Sequence, residues 1–254
     1  MRRLGRPMIR DLFQDFISAL RFLTILPVGN GGRFNPRGLL PFFPVVGVLV
    51  GCLLFLLDRV LLQLWPRPVA ALLDVAFLAF ITGALHLDGL ADAADGLYGR
   101  RPREKALAIM KDSRVGVMGL VAVVAGLALK WGGLSALESH RGLLLVVIPA
   151  FARGGMLIGM RFLPYGRPEG GTGRAFFDAP LTLRSFAGFL LPLALSLLLG
   201  WRGLFLVIAF AAVVAATLAY YRDKLGCITG DMLGAMTEVT EAALFLLLSA
   251  GGAL

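Results

Sequence analysis

A chain of 254 residues that is 58% hydrophobic and only 16% charged, with a mean hydropathy of +0.81, is too apolar for a soluble domain. Apolar runs of bilayer length recur along it. The expected fold is therefore all-α: a polytopic integral membrane protein of about seven transmembrane helices plus an N-terminal interfacial amphipathic helix. The net charge of +9 does not require a nucleic-acid partner, because anionic lipid alone favours basic loops.

The whole of 1–254 reads as a single transmembrane catalytic domain, with 1–38 a cytoplasmic arm and interfacial helix and 39–254 a helical membrane bundle. Met1-Arg2-Arg3 before a short apolar stretch has the start of a signal peptide, but Asp15 and Arg21 interrupt the apolar part and no small-residue cleavage site follows. Phe13, Phe16, Ile17, Leu20 and Leu23 instead recur at helical spacing, with Asp11, Gln14, Asp15, Ser18 and Arg21 opposite. That pattern belongs to a helix lying at the membrane surface. Pro27, Gly29, Gly31 and Gly32 end it in a loop.

Seven spans follow, at roughly 41–64, 69–87, 115–137, 143–160, 181–200, 203–221 and 232–250, each near the ~20 residues needed to cross. Their connections alternate sides. One side collects Arg2, Arg3, Arg6, Arg10, Arg33, Arg37, Arg100, Arg101, Arg103, Lys105, Lys111, Arg114, Arg161, Arg167, Arg174, Arg222 and Lys224. The other has Arg67, Arg141 and Arg202, with Arg59 near a helix end. The positive-inside rule makes the rich side cytoplasmic, so the N-terminus is expected inside and the C-terminus outside a cell (inner) membrane. Cys52 and Cys227 lack metal-site spacing and read as reduced and structural.

Chemistry collects on the basic side. His86-Leu87-Asp88-Gly89-Leu90-Ala91-Asp92-Ala93-Ala94-Asp95-Gly96 closes the second span with carboxylates at i, i+4 and i+7, one face of a helix. Three like charges this close need a compensating cation, and oxygen-only ligands suit Mg²⁺ or Mn²⁺. Asp88, Asp92 and Asp95 are the expected metal ligands, with Asp112 fourth. Ile109-Met110-Lys111-Asp112-Ser113-Arg114 enters the third span from the same side, where Lys111, Ser113 and Arg114 can bind phosphate. The segment Thr229-Gly230-Asp231 through Glu241 opens the last span. Asp231 suits a helix cap as well as a site, and Thr229 adds a hydroxyl. Glu238 and Glu241 lie within an apolar run, where a carboxylate costs several kcal/mol unless it meets a cation or a proton. They are expected at the site, with Glu238 catalytic and Glu241 and Arg153 binding substrate; pairing with Arg153 or Lys130 is the structural rival. The loop from Tyr165 to Arg174 is basic and glycine-rich, able to wrap an anion or merely to link spans. Together these residues describe metal-assisted transfer of a phosphorus group with an amphiphilic substrate.

The run Gly83-Ala84-Leu85-His86-Leu87-Asp88-Gly89-Leu90-Ala91-Asp92-Ala93-Ala94-Asp95-Gly96-Leu97, followed by Ile109-Met110-Lys111-Asp112-Ser113-Arg114-Val115-Gly116, closely resembles the cobalamin synthase family, the adenosylcobinamide-GDP ribazoletransferases. Phe16 to Thr24, Leu26-Pro27, Phe42 to Gly47 and Thr229 to Glu241 are similar to other segments of that family, so the resemblance spans the chain. It implies a Mg²⁺-dependent reaction joining adenosylcobinamide-GDP to α-ribazole or its 5′-phosphate, giving adenosylcobalamin or its 5′-phosphate and GMP. His86 or Asp231 would take a proton from an attacking hydroxyl. The expected partners are those two substrates and the lipid bilayer; homo-oligomer formation stays open. Two other readings compete. A CDP-alcohol phosphotransferase would share Asp88-Gly89-Leu90-Ala91 but carry Arg where Asp92 stands. A cation-coupled transporter would place its acids at mid-membrane and show paired broken helices or an inverted repeat.

Overall fold

A computed structural model describes residues 9–29, 35–167, 170 and 173–250. Arg2, Arg3, Arg6 and Arg33, and residues 168–169 and 171–172 of the glycine-rich loop, lie outside the described residues.

Helix α1 (Ile9–Leu23) buries Leu20 and Leu23 of its expected apolar face, whereas Phe13 of that face stays exposed and Ser18 of the expected polar face is buried. Asp11 in its first turn and Arg21 in its last suit the helix dipole. The short α2 (Pro36–Leu39) and a 3₁₀ turn, Leu40–Phe42, lead into α3 (Phe43–Leu64). The remaining helices are α4 (Arg67–Ile81), α5 (Leu85–Leu97), α6 (Arg103–Ile109), α7 (Val117–Ala136), α8 (Arg141–Phe162), α9 (Leu190–Leu197), α10 (Trp201–Lys224) and α11 (Gly230–Ser249). No strand occurs among the described residues.

Small residues set the helix spacing. Gly47 and Gly51, four apart on α3, press against α8; a methyl at either would collide with the α8 backbone at Ala150 or Val146. Close approach of this kind is the main source of packing energy between helices in lipid. Helices α8 and α11 fill the centre, whereas α7 and α10 turn Val121, Val124, Leu204 and Ile208 outward as a lipid-facing surface would.

Among the described residues five helices are long and apolar enough to cross a membrane, and α4 with α5 makes a sixth crossing if the bent pair counts as one. The expected seven fails at two places. The span expected at 69–87 is broken, because α4 stops at Ile81 and α5 leaves at 88° to it. Gly83 and Ala84 both take left-handed backbone (φ +58° and +57°). Their N–H groups bond to Phe80 O (2.9 Å) and Ala79 O (2.8 Å), a Schellman ending. The segment expected at 181–200 is a 3₁₀ stretch, Leu183–Phe189, followed by the short α9. Gly188 there lies against the Pro41 carbonyl with no room for a side chain. At rises of ~2.0 and ~1.5 Å per residue the two pieces extend about 26 Å, against the ~30 Å of a hydrocarbon core.

The bundle therefore has two ends. At one, Arg67 pairs with Glu138 (2.7 Å) and Arg202 donates to Ser139 O (3.1 Å). Just inside that end, Arg141 braces four helices. It pairs with Asp58 (2.5 Å) and Asp74 (3.2 Å), and its Nη1 donates to the Leu134 and Leu137 carbonyls. At the other end Lys224 donates to Gly99 O (3.1 Å), and Tyr165 pairs with Ile228 in one isolated parallel bridge. The acids of α5 open toward this second end.

Candidate active site

Helix α5 crosses α11 where neither has a side chain to keep them apart. A Cβ at Gly89 would come within 2.7 Å of Asp231 O, and one at Gly234 within 3.3 Å of His86 Cα. This crossing brings the α5 acids to the first turn of α11. Thr229 caps that turn, accepting from Met232 N (3.2 Å), and Tyr221 Oη donates to Met232 O (2.9 Å). Asp92 lies within electrostatic reach of Asp231, Asp88 and Asp95. Asp231 accepts from Arg167 Nη2 (2.6 Å) and, weakly, from Thr229 Oγ1 (3.5 Å). The Nε of Arg167 has no partner among the described residues. Arg167 was not expected at the site. Its signal in the sequence is a cation in a glycine-rich loop, 64 residues from its partner.

A cavity of about 260 Å³ opens here, lined by Asp88, Asp231, His86, Met156, Met160 and Phe176 among others. His86 is 2% exposed, and its Nε2 has no partner among the described residues.

The other expected residues go elsewhere. Asp95 is turned to α7, where its two oxygens accept from Gly116 N (2.6 Å) and Gly119 N (2.8 Å). It serves as a cap for the N–H groups at the start of that helix, so both its oxygens are engaged there rather than turned to the cavity. Asp112 is tied to Arg114 by side-chain bonds of 2.6–3.2 Å and by the Arg114 backbone N–H (3.1 Å). Those bonds hold its carboxyl down at about 2. The structure engages it within its own exposed turn rather than with the α5 acids. Lys111, Ser113 and Arg114 are exposed at the same end. Thr229 is buried as a helix cap.

Glu238, Glu241 and Arg153 are engaged with one another and with Lys130, the structural rival named above. They form an ion-pair network with Lys130, which bridges Glu238 (2.7 Å) and Glu241 (2.6 Å), while Arg153 reaches Glu241 (3.2 Å). All four are at most 5% exposed, and the two cations balance the two anions. Buried charges must be paired, and these have found each other rather than the cavity. The network stands behind His86, which feels Arg153, Glu241 and Lys130.

The donors around Asp88 and Asp92 are carboxylate oxygens. Among the described residues no group of three or more His, Cys, Asp or Glu side chains is set to hold a metal by itself. Magnesium commonly takes only one or two protein carboxylates and completes its shell with water and substrate phosphate, so the set present fits that ion in substrate-borne form. Near the cavity, burial pushes the Tyr165 hydroxyl and the Cys227 thiol up. Both groups stay protonated near neutrality, and both cysteines are free.

Fold and site define a helical membrane protein with an acidic, oxygen-donor cavity at one end of its bundle. A family model described as cobalamin-5-phosphate synthase matches residues 15–249, and the chain belongs to that family of cobalamin biosynthesis enzymes. Similar curated proteins carry the name adenosylcobinamide-GDP ribazoletransferase. One from Geotalea daltonii is 38% identical, with 93% of this chain and 98% of that protein covered. One from Chlorobaculum tepidum is 38% identical, covering 93% and 95%. One from Acetivibrio thermocellus is 36% identical, covering 89% and 93%. No solved structure matches the chain. Neither the CDP-alcohol phosphotransferase nor the transporter reading is favoured by these matches.

Proposed function

We propose that this protein joins adenosylcobinamide-GDP to α-ribazole or α-ribazole 5′-phosphate, forming adenosylcobalamin or its 5′-phosphate and releasing GMP. Family membership and the relatives' names support this reading. The observation that carries it is the meeting of Asp88 and Asp92 with the Asp231–Arg167 pair beside a cavity at the basic end of the bundle.

Since the phosphorylated product keeps its 5′-phosphate, the attacking oxygen is another ribose hydroxyl. It bonds to the cobinamide-linked phosphorus, the bond from that phosphorus to the GMP phosphate oxygen breaks, and GMP departs with that oxygen. Asp231 lies beside Asp88 and Asp92, where diphosphate and acceptor must meet, so it takes the hydroxyl proton. His86 shapes the floor of the cavity. Arg167, whose Nε–H has no partner among the described residues, binds phosphate oxygen. Asp88 and Asp92 would hold Mg²⁺, which when bound neutralises diphosphate and leaving-group charge. The basic end faces the cytoplasm by the positive-inside rule, and the corrinoid approaches along the bilayer.

The test is turnover by the purified protein in lipid nanodiscs. Supplied with adenosylcobinamide-GDP, α-ribazole 5′-phosphate and Mg²⁺, it should release GMP and the corrinoid product in equal amounts. GMP release that does not depend on the ribazole would sink the reading.

A further inference from the structure

A second cavity, of about 440 Å³, lies beside the acidic one. Met160 lines both, and the 3₁₀ turn Arg174–Phe176 stands between them, with Phe176 facing the acids and Arg174 the second cavity. Its walls include Tyr165 and Phe177, whose ring centroids are 4.8 Å apart, together with Pro164 and Pro180. Arg161 and Arg174 also line it. Among the described residues Arg174 is paired through a 3.8 Å, solvent-exposed contact with Asp178, a weak tie that a phosphate can replace. Tyr165, on the wall of the second cavity, lies within reach of the charges of Arg167, Asp231 and Arg174.

This combination has a specific chemistry. Aromatic rings stack on flat heteroaromatic bases of any sequence, and guanidinium groups take phosphate oxygens in bidentate fashion. Cavities for small ligands run from ~300 to ~1,000 Å³. The second cavity falls inside that range, and the acidic one, at about 260 Å³, falls just below it. The acidic cavity is thus small for a whole nucleotide, and the second cavity offers further room beside it. A corrin macrocycle fits neither.

We propose that the Tyr165–Phe177 cavity seats the planar base and phosphate of a nucleotide, with Arg161 and Arg174 on the phosphate. Building on the proposed transfer, that nucleotide is the guanosine end of the donor or the phosphorylated ribazole acceptor; the two share this chemistry.

Calorimetric binding of GMP and of α-ribazole 5′-phosphate to the protein in nanodiscs decides it without requiring turnover. The double variant Arg161→Gln/Arg174→Gln and the variant Phe177→Leu should each weaken one or both ligands about tenfold, the scale of a lost phosphate or stacking contact. Arg222→Gln, the same loss of charge at an exposed position of α10, should stay within about twofold of wild type. Weakening of GMP alone assigns the donor end, and weakening of the ribazole phosphate alone assigns the acceptor. Affinities unchanged in both variants, or a wild type that binds neither ligand, overturn the proposal. A wild type that binds but transfers nothing leaves the cavity assigned and refutes the transfer instead.

Discussion

Gly89 of α5 rests directly on the backbone of Asp231, so the only gap between the two acid-bearing helices is the space a hydrogen leaves. The relative placement of Asp88, Asp92 and Asp231 depends on that absence of a side chain. Gly89→Ala puts a methyl 2.7 Å from Asp231 O and must shift one helix. Activity should fall about tenfold or more, since misplacement of about 1 Å costs on the order of 10²-fold. Gly132→Ala on α7 meets nothing within 4 Å and should leave turnover unchanged. A steady-state assay of the two variants side by side checks this.

The three acids of α5 should separate by role. Asp88→Asn and Asp92→Asn remove charge facing the cavity end without breaking a hydrogen bond found here, so turnover should collapse while the melting temperature in detergent holds. Asp95→Asn keeps only one acceptor oxygen for the Gly116 and Gly119 N–H groups. It should cost ~1 kcal/mol of stability, as a lost helix cap does, and retain much of the activity. Identical behaviour of all three in melting and turnover would contradict this division.

Glu238 should behave as a staple. Glu238→Gln strands part of the Lys130 charge in the bundle, and breaking such a buried pair costs ~3–5 kcal/mol. The double variant Lys130→Met/Glu238→Gln, still holding the Arg153–Glu241 pair, should regain part of that loss. Thermal melts of the single and double variants read this directly; a Glu238→Gln protein that melts like wild type but cannot turn over would restore a catalytic role.

Arg167→Lys retains the charge on Asp231 but loses the fork whose Nε–H, without a partner among the described residues, can take a phosphate. The KM for the cobinamide substrate should rise roughly tenfold with kcat less affected, the signature of lost binding rather than lost chemistry. Initial rates across donor concentrations check it, and an unchanged KM would remove Arg167 from the binding surface.

What the sequence made legible was local. Carboxylates at i, i+4 and i+7 announced the acidic helix, and the apolar spacing from Phe13 to Leu23 announced α1. Asp231 marked the start of α11 to within two residues, the cap being Thr229. The break after Ile81 was written in Thr82-Gly83, a common helix-ending pair, but the apolar run on both sides hid it. The capture of Asp95 was not legible, because its partners are backbone N–H groups 21 and 24 residues away and carry no residue-type signal. Lys130 and Glu238 were visible as unpaired charges in two apolar runs, yet 108 residues separate them, and only the packing of α7 on α11 shows that they meet. Arg167 was hidden in the same way, its partner lying across a loop.

The most direct test compares GMP release by wild type and Asp92→Asn in nanodiscs across a Mg²⁺ titration with both substrates present. If the α5 acids meeting Asp231 form the transfer site, wild-type turnover rises with Mg²⁺ and stops when the ion is chelated. Asp92→Asn should then lose about a hundredfold or more at saturating ion, the scale of removing one preorganised charge from a site. An Asp92→Asn protein that matches wild type at every Mg²⁺ concentration would place the transfer elsewhere in the molecule.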